Sequence, residues 1–182
     1  MTILKIDSSI TGDASVSRQL TAATAEQLVS QNLDQRVVER DLVATPLSHL
    51  TLGGSADADV LDEFLAADTI VVGAPMYNFT VPSQLKAWID RICVAGRTFR
   101  YTEAGPEGLC KGKKVIVVST TGGLHQGLPS GAGHDDLLKV VFGFIGVTDL
   151  QFVVAEGLAY GDEPRAAAMA AAQKNISETL FA

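Results

Sequence analysis

Five short apolar runs, separated by stretches of helical spacing, constrain this chain more than any other feature. The runs cover residues 3–6, 36–40, 69–73, 115–119 and 150–155; the second is the most polar, with Val37 and Val38 at its centre. Runs rich in β-branched residues suit strands buried on both faces. Between them, residues 17–31 place Leu20, Ala23, Thr24, Gln27 and Leu28 at helical spacing. Residues 57–67 read as a second helix, with Asp57 and Asp59 in its first turn, where the helix dipole favours them. A third helix opens at Pro82 and runs to about Ala95, where Gly96 stops it. Residues 137–144 and 164–180 complete the set. Strands alternating with helices predict an α/β doubly wound parallel sheet with helices on both faces. Right-handed crossovers then favour the strand order 2-1-3-4-5. Three stretches stand outside this rhythm: a loop at 42–55 with Pro46, Gly53 and Gly54, an excursion at 98–108 with a tight turn at Ala104-Gly105-Pro106, and a glycine-rich loop at 122–133.

A chain of 182 residues, 47% of them hydrophobic, can bury one core and is too apolar to be disordered. No repeat or linker divides it, so residues 1–182 are expected to form a single domain. Acidic residues outnumber basic ones by 21 to 14, for a net charge of −7. That argues against nucleic acid or an anionic membrane as partner. It leaves room for an anionic ligand, because a cradle of backbone N–H groups binds phosphate without net positive charge. Cys93 and Cys110 fit no metal spacing and no redox pair, and no metal is expected. Cys93 lies in an apolar helical pattern and reads as a buried, inert thiol. No signal-peptide pattern precedes residues 3–6, and no apolar stretch approaches a membrane span. The expected location is the cytoplasm.

In a doubly wound sheet, ligands sit beyond the carboxyl ends of the strands, where the winding reverses. Three loops of unusual composition fall there. The first, residues 7–17, carries Ser9, Ser15 and Ser17 into a helix N-terminus, a natural anion site. In the plainer reading, Ser15 or Ser17 only caps the helix. The loop has neither the Gly-x-Gly-x-x-Gly pattern nor a P-loop lysine, which points to a monophosphate rather than a pyrophosphate. The second loop, residues 74–82, sets Met76, Tyr77, Asn78 and Phe79 where a flat heteroaromatic ring can lie; alternatively Tyr77 and Phe79 plug the top of the core. The third, residues 119–125, has Thr120, Thr121, Gly122 and Gly123 followed by His125. Adjacent glycines allow close backbone approach to a ligand. A lone histidine such as His125 is more often structural than catalytic.

Ala-Pro-Met-Tyr-Asn-Phe at 74–79, followed by Gln84-Leu85-Lys86, resembles the FMN-dependent NADH-azoreductase family. So do Thr98-Phe99-Arg100-Tyr101-Thr102-Glu103, Gly105-Pro106-Glu107-Gly108-Leu109, Gly143-Phe144-Ile145-Gly146 and Ala155-Glu156-Gly157. The blocks run in order along nearly the whole chain. The resemblance implies a flavodoxin-like fold, non-covalent FMN, NADH or NADPH as co-substrate, and a homodimer. It implies an oxidoreductase that reduces quinones and azo compounds by ping-pong, two-electron hydride transfer through flavin N5.

It also assigns residues. Ser9, Ser15 and Ser17 match the family's phosphate-binding serines, with Val16 offering its N–H between the last two. Met76, Tyr77, Asn78 and Phe79 match the isoalloxazine platform. Thr120, Thr121, Gly122 and Gly123 edge the ring, with His125 close by. Tyr101 and Phe144 match positions that shape the acceptor pocket, across the dimer interface; for both, ordinary packing is the competing reading. Asn78, His125 and Tyr101 are the residues expected at the chemistry. Two departures stand out: relatives often carry arginine at the position of Thr121, and many have a longer, partly helical insertion within 42–57. A rival of another class, a non-enzymatic electron carrier of the flavodoxin type, would share the fold and FMN but hold no nicotinamide. The 98–108 excursion favours the enzyme.

Overall fold

A computed structural model describes residues 1–52 and 58–178. Its centre is a five-stranded parallel sheet formed by β1 (Thr2–Asp7), β2 (Arg36–Asp41), β3 (Thr69–Pro75), β6 (Lys114–Thr120) and β7 (Asp149–Ala155). The spatial order is β2-β1-β3-β6-β7. The chain-order numbering differs from the expected 2-1-3-4-5 because the 98–108 excursion forms strands of its own. These are β4 (Phe99–Thr102) and β5 (Gly105–Gly108), which pair only with each other, antiparallel. Every residue of β3 is buried, as a strand paired on both edges and covered on both faces requires.

Side-chain alternation sorts the core into two layers. Ile3, Val71, Ile116, Val118 and Val153 face α1 (Val16–Gln31) and α5 (Asp162–Glu178), which contribute Leu20, Leu28, Ala172 and Ile176. Leu4, Ile6, Ile70, Val72, Val115 and Val117 face the opposite layer of α2 (Ala58–Ala66), α3 (Ser83–Ile92) and α4 (Leu137–Phe144). There Phe64 and Trp88 meet edge to face, ring centres 6.0 Å apart. The predicted starts of α1, α4 and the strands lie within a residue or two of those observed. Asp57, the expected start of α2, and residues 179–180 at the expected end of α5 lie outside the described residues.

Three expectations are corrected. Helix α3 ends at Ile92, short of Ala95. Buried Thr98 explains it: its hydroxyl donates to the Ile92 carbonyl at 2.6 Å and accepts the Val94 N–H at 2.9 Å, which draws the chain out of the helix. The tight turn of the excursion is centred on Glu103 and Ala104, between paired Thr102 and Gly105. Pro106 therefore sits inside β5; a two-stranded ribbon is all edge and tolerates the missing N–H. Finally, Cys93 is only partly buried, though burial still pushes its thiol up to about 11, so it stays protonated and inert.

Candidate functional site

The loop after β1 is held from below. Asp7 is buried and accepts the Thr21 hydroxyl at 2.7 Å, and Ser8 donates to the Gly73 carbonyl at 2.6 Å. Arg18 grips the Ser9 carbonyl through Nε and Nη2, at 3.2 and 2.9 Å. Its guanidinium is in turn forked by Asp41, at 2.7 and 2.9 Å. The hydrogen bonds from Arg18 hold the Asp41 carboxyl at about 2, outweighing partial burial; the Val43 and Ala44 N–H groups help. Ser15 is the N-cap of α1, accepting the Arg18 N–H at 3.3 Å, and its hydroxyl lies 3.0 Å from that of Ser17. The capping role is thus real. It leaves the first-turn N–H groups of Val16 and Ser17 without intrahelical acceptors.

The loop after β3 is a strained two-residue turn. Tyr77 and Thr80 exchange both backbone hydrogen bonds, at 2.9 and 3.2 Å, around Asn78 and Phe79. Both central residues have positive φ, 49° and 68°. This left-handed pair is the signature of a type I′ turn, unusual for phenylalanine and a form of strain found at functional sites. Its effect is to turn the N–H groups of Asn78 and Phe79 outward, with no acceptor among the described residues. Tyr77, partly buried and outside both core clusters, joins the first two loops: its hydroxyl lies 3.1 Å from Ser9 Oγ and accepts the Ile10 N–H at 3.2 Å.

The loop after β6 is laced to the segment after β7. The carbonyls of Thr121, Gly122 and Gly123 accept the N–H groups of Leu158, Ala159 and Gly157, at 3.2, 3.0 and 3.0 Å. With the carbonyls committed there, the N–H groups of Gly122 and Gly123 find no acceptor among the described residues. Glu156 fixes the next turn by accepting the backbone N–H groups of His125 and Gln126, each at 2.7 Å. The His125 ring contacts Phe79 edge to face at 5.9 Å, and its Nδ1 lies 2.9 Å from the Ser130 hydroxyl.

These loops enclose three adjoining cavities that share Met76. One of about 500 Å³ brings together Ser9, Ser15 and Val16 with Met76, Tyr77, Thr120, Thr121 and Gly122. The chain has 21 acidic residues, yet among the described residues no carboxylate lines this cavity, and the one charged side chain there is Arg165. A larger cavity of about 870 Å³ adds Asn78, with His49, Lys86 and Asp90 on its polar side. A third, of about 440 Å³, holds His125 and Glu156. Ser17 is buried behind Ser15, and Phe79 is exposed at the rim beside His125. Tyr101 and Phe144 line none of the three; they flank Phe99, at 5.6 and 4.5 Å between ring centres.

Four residues escaped sequence reasoning. Glu156 lay in a block that carried only the resemblance, and Arg165 in the closing helix at 164–180, which no site reading touched. His134 and Asp135 fell between the loop expected at 122–133 and the helix expected from 137. There a π-helical turn, Ala132–Asp136, leads into α4. Fully buried His134 places Nε2 3.0 Å from the Ala74 carbonyl and Nδ1 2.8 Å from Asp135, which also accepts the Ser119 hydroxyl at 2.8 Å. Burial raises the Asp135 carboxyl, but the hydrogen bonds from His134 and Ser119 prevail and hold it below the usual range. This network braces the ends of β3 and β6 from beneath; a lone His-Asp pair gave no sequence signal of it.

A model of the Flavodoxin-like fold family matches residues 1–180. The FMN-dependent NADH:quinone oxidoreductase 1 of Pseudomonas syringae pv. tomato is 58% identical, with all of each chain covered. That alignment runs over 201 positions, more than the 182 residues present here. The FMN-dependent NADH:quinone oxidoreductase of Sinorhizobium fredii is 54% identical over 98% of this chain and 96% of its own. Among solved structures, an azoreductase from Bacillus anthracis superposes with a TM-score of 0.84 at 27% identity, covering 98% of this chain and 99% of that one.

Proposed function

This chain belongs to the flavodoxin-like fold family, and on that premise we propose that it is an FMN-dependent NAD(P)H oxidoreductase acting on quinones and azo compounds. The observation that carries the reading is the 500 Å³ cavity, lined by hydroxyls, N–H donors and one cation, without a carboxylate, in an acidic chain. Its donor set fits FMN. The phosphate falls to Ser9, Ser15 and the N–H groups of Val16 and Ser17 at the positive end of α1. The ring falls to Met76, Tyr77, Asn78 and Phe79, edged by Thr120, Thr121, Gly122 and Gly123.

FMN, when bound, supplies a two-electron carrier that takes hydride at N5 from NADH or NADPH and passes it to the acceptor. The protein's part is electrostatic and steric. The outward N–H groups of Asn78 and Phe79, and those of Gly122 and Gly123, are free to donate to a bound flavin and would stabilise negative charge developing on it. His125, held by Ser130, stands beside the acceptor as a donor of hydrogen bonds or protons. The larger cavity beside Asn78 admits nicotinamide and quinone by one door, so they bind in turn. Tyr101 and Phe144 complete it from the partner of a homodimer. Thr121 brings no charge to the ring.

Steady-state NADH oxidation with a simple quinone tests this reading. The expected result is turnover that needs FMN, with parallel initial-rate plots at several quinone concentrations. A purified protein that takes up no FMN overturns the assignment. Intersecting plots overturn only the shared door. FMN uptake with no NADH oxidation would leave a flavodoxin-type carrier.

A further inference from the structure

Two arginines stand near the loop that follows β1, and they are in different electrostatic states. Arg18 is compensated: both terminal nitrogens pair with Asp41 at 2.7 and 2.9 Å, and the rest of the guanidinium is spent on the Ser9 carbonyl. It shapes the loop and has little charge left for a ligand. Arg165 comes from the first turns of α5, and its Nη2 donates to the Ala14 carbonyl at 3.2 Å, across 151 residues of sequence. No carboxylate among the described residues pairs with it, although Asp162 and Glu163 lie on its own helix and Asp13 beside Ala14. It lines the same cavity as Ser9, Thr11 and Ser15, and is partly withdrawn from solvent.

We propose that Arg165 is a cofactor-binding residue that pairs with the phosphate of FMN, closing the serine and N–H cradle of α1 with a charge from the last helix. This inference rests on the reading that the cavity holds FMN. Three requirements of the site support it. A phosphate carries close to two negative charges, and hydroxyls and amides alone leave them to the helix dipole. The molecule as a whole is acidic and repels an anion at long range. Arginine meets phosphate with a planar fork, and the bond to Ala14 already aims that fork at the loop where Ser15 begins the helix. The tether also spares part of the entropy of ordering the side chain on binding.

The test separates charge from scaffolding. Full-length protein is stripped of flavin and titrated with FMN and with riboflavin, by flavin fluorescence, at low and high salt. Arg165→Gln keeps a donor for Ala14 and removes the charge. It should raise the FMN Kd about tenfold, as expected for one charge-assisted hydrogen bond, and leave the riboflavin Kd within about twofold. It should also flatten the salt dependence of FMN binding. Arg165→Lys should retain most of the affinity. The proposal is overturned if Arg165→Gln binds FMN like the parent protein, or if FMN and riboflavin weaken equally, which would make Arg165 only a strut between α5 and the loop. A parent protein that binds no FMN would sink the proposed function itself, a distinguishable result.

Discussion

At the scale of single residues, the loop after β1 is a chain of dependencies that ends on Asp41. Its carboxylate orients Arg18, and Arg18 holds the carbonyl of Ser9. Because the folded-state value is depressed to about 2, below the ordinary value of about 3.9, the ionised form stabilises the fold. That contribution is complete above about pH 4 and is lost as pH falls through about 2. Asp41→Asn keeps an oxygen for the Val43 and Ala44 N–H groups and removes the charge. Since the side chain is about one-third exposed, solvent screening keeps the effect modest. Its melting temperature should lie about 1–3 °C below the parent at pH 6, with the two converging near pH 2. A gap that persists unchanged at pH 2 would mean the ion pair is not its source. Ser15 offers a complementary substitution. Aspartate caps a helix as well as serine does, so Ser15→Asp should leave α1 intact while setting a carboxylate against the phosphate. FMN affinity should fall by about tenfold or more, and riboflavin affinity much less. Equal losses would place the phosphate elsewhere.

At the scale of elements, the β4–β5 hairpin is attached through a contact that no side chain could survive. A Cβ on Gly108 would overlap the backbone of Ile145 and Gly146, and one on Gly146, at φ +97°, would come 2.7 Å from the Gly108 carbonyl carbon. The Cys110 N–H then reaches the Ile145 carbonyl at 2.8 Å. Gly108→Ala should therefore cost about 2–3 kcal/mol and lower the melting temperature by several degrees. Gly143→Ala, in the last turn of α4 with open space around it, is the control and should be neutral or stabilise slightly. If both substitutions behave alike, the docking contact is not as close as the backbone indicates. The hairpin also shows where sequence reading stops. The five sheet strands and most helices announced themselves through local periodicity, because burial of one or two faces writes a period into the residues. The hairpin has four-residue strands, a proline and no alternation, so its turn was misplaced by a residue or two. The three site loops were legible as odd compositions at strand ends. Their mutual geometry was not: nothing local predicts that Tyr77 bonds Ser9 or that Glu156 shapes the turn at His125. Arg165 is the extreme case, lying 151 residues from the carbonyl it holds.

At the scale of the whole molecule, the site edge is conspicuously apolar and uncovered. Phe79, Leu124, Leu128 and Tyr160, on or beside the site loops, and Tyr101 on the hairpin are each more than half exposed. Scattered apolar residues need no explanation, but aromatics around functional loops are what a partner surface covers. Tyr101 adds a geometric point: its ring is held against Phe99, and it lines none of the three site cavities. If it shapes the acceptor pocket, that pocket belongs to a second copy. Hybrid dimers test this directly. Ser15→Asp, at FMN concentrations below its raised Kd, leaves the flavin site of its own chain empty but keeps Tyr101 intact. Tyr101→Ala leaves the flavin site intact but removes the aromatic it would lend. In a hybrid of the two, shared sites give one complete site per dimer, combining FMN of one chain with Tyr101 of the other. Mixing and reassociating the two variants should then restore about half the parent activity per hybrid dimer, with the parent KM for quinone. Self-contained sites predict no such recovery, because neither chain would carry both residues. An active monomer in sedimentation at assay concentration would remove the shared pocket altogether, and would leave the exposed aromatic edge to some other partner.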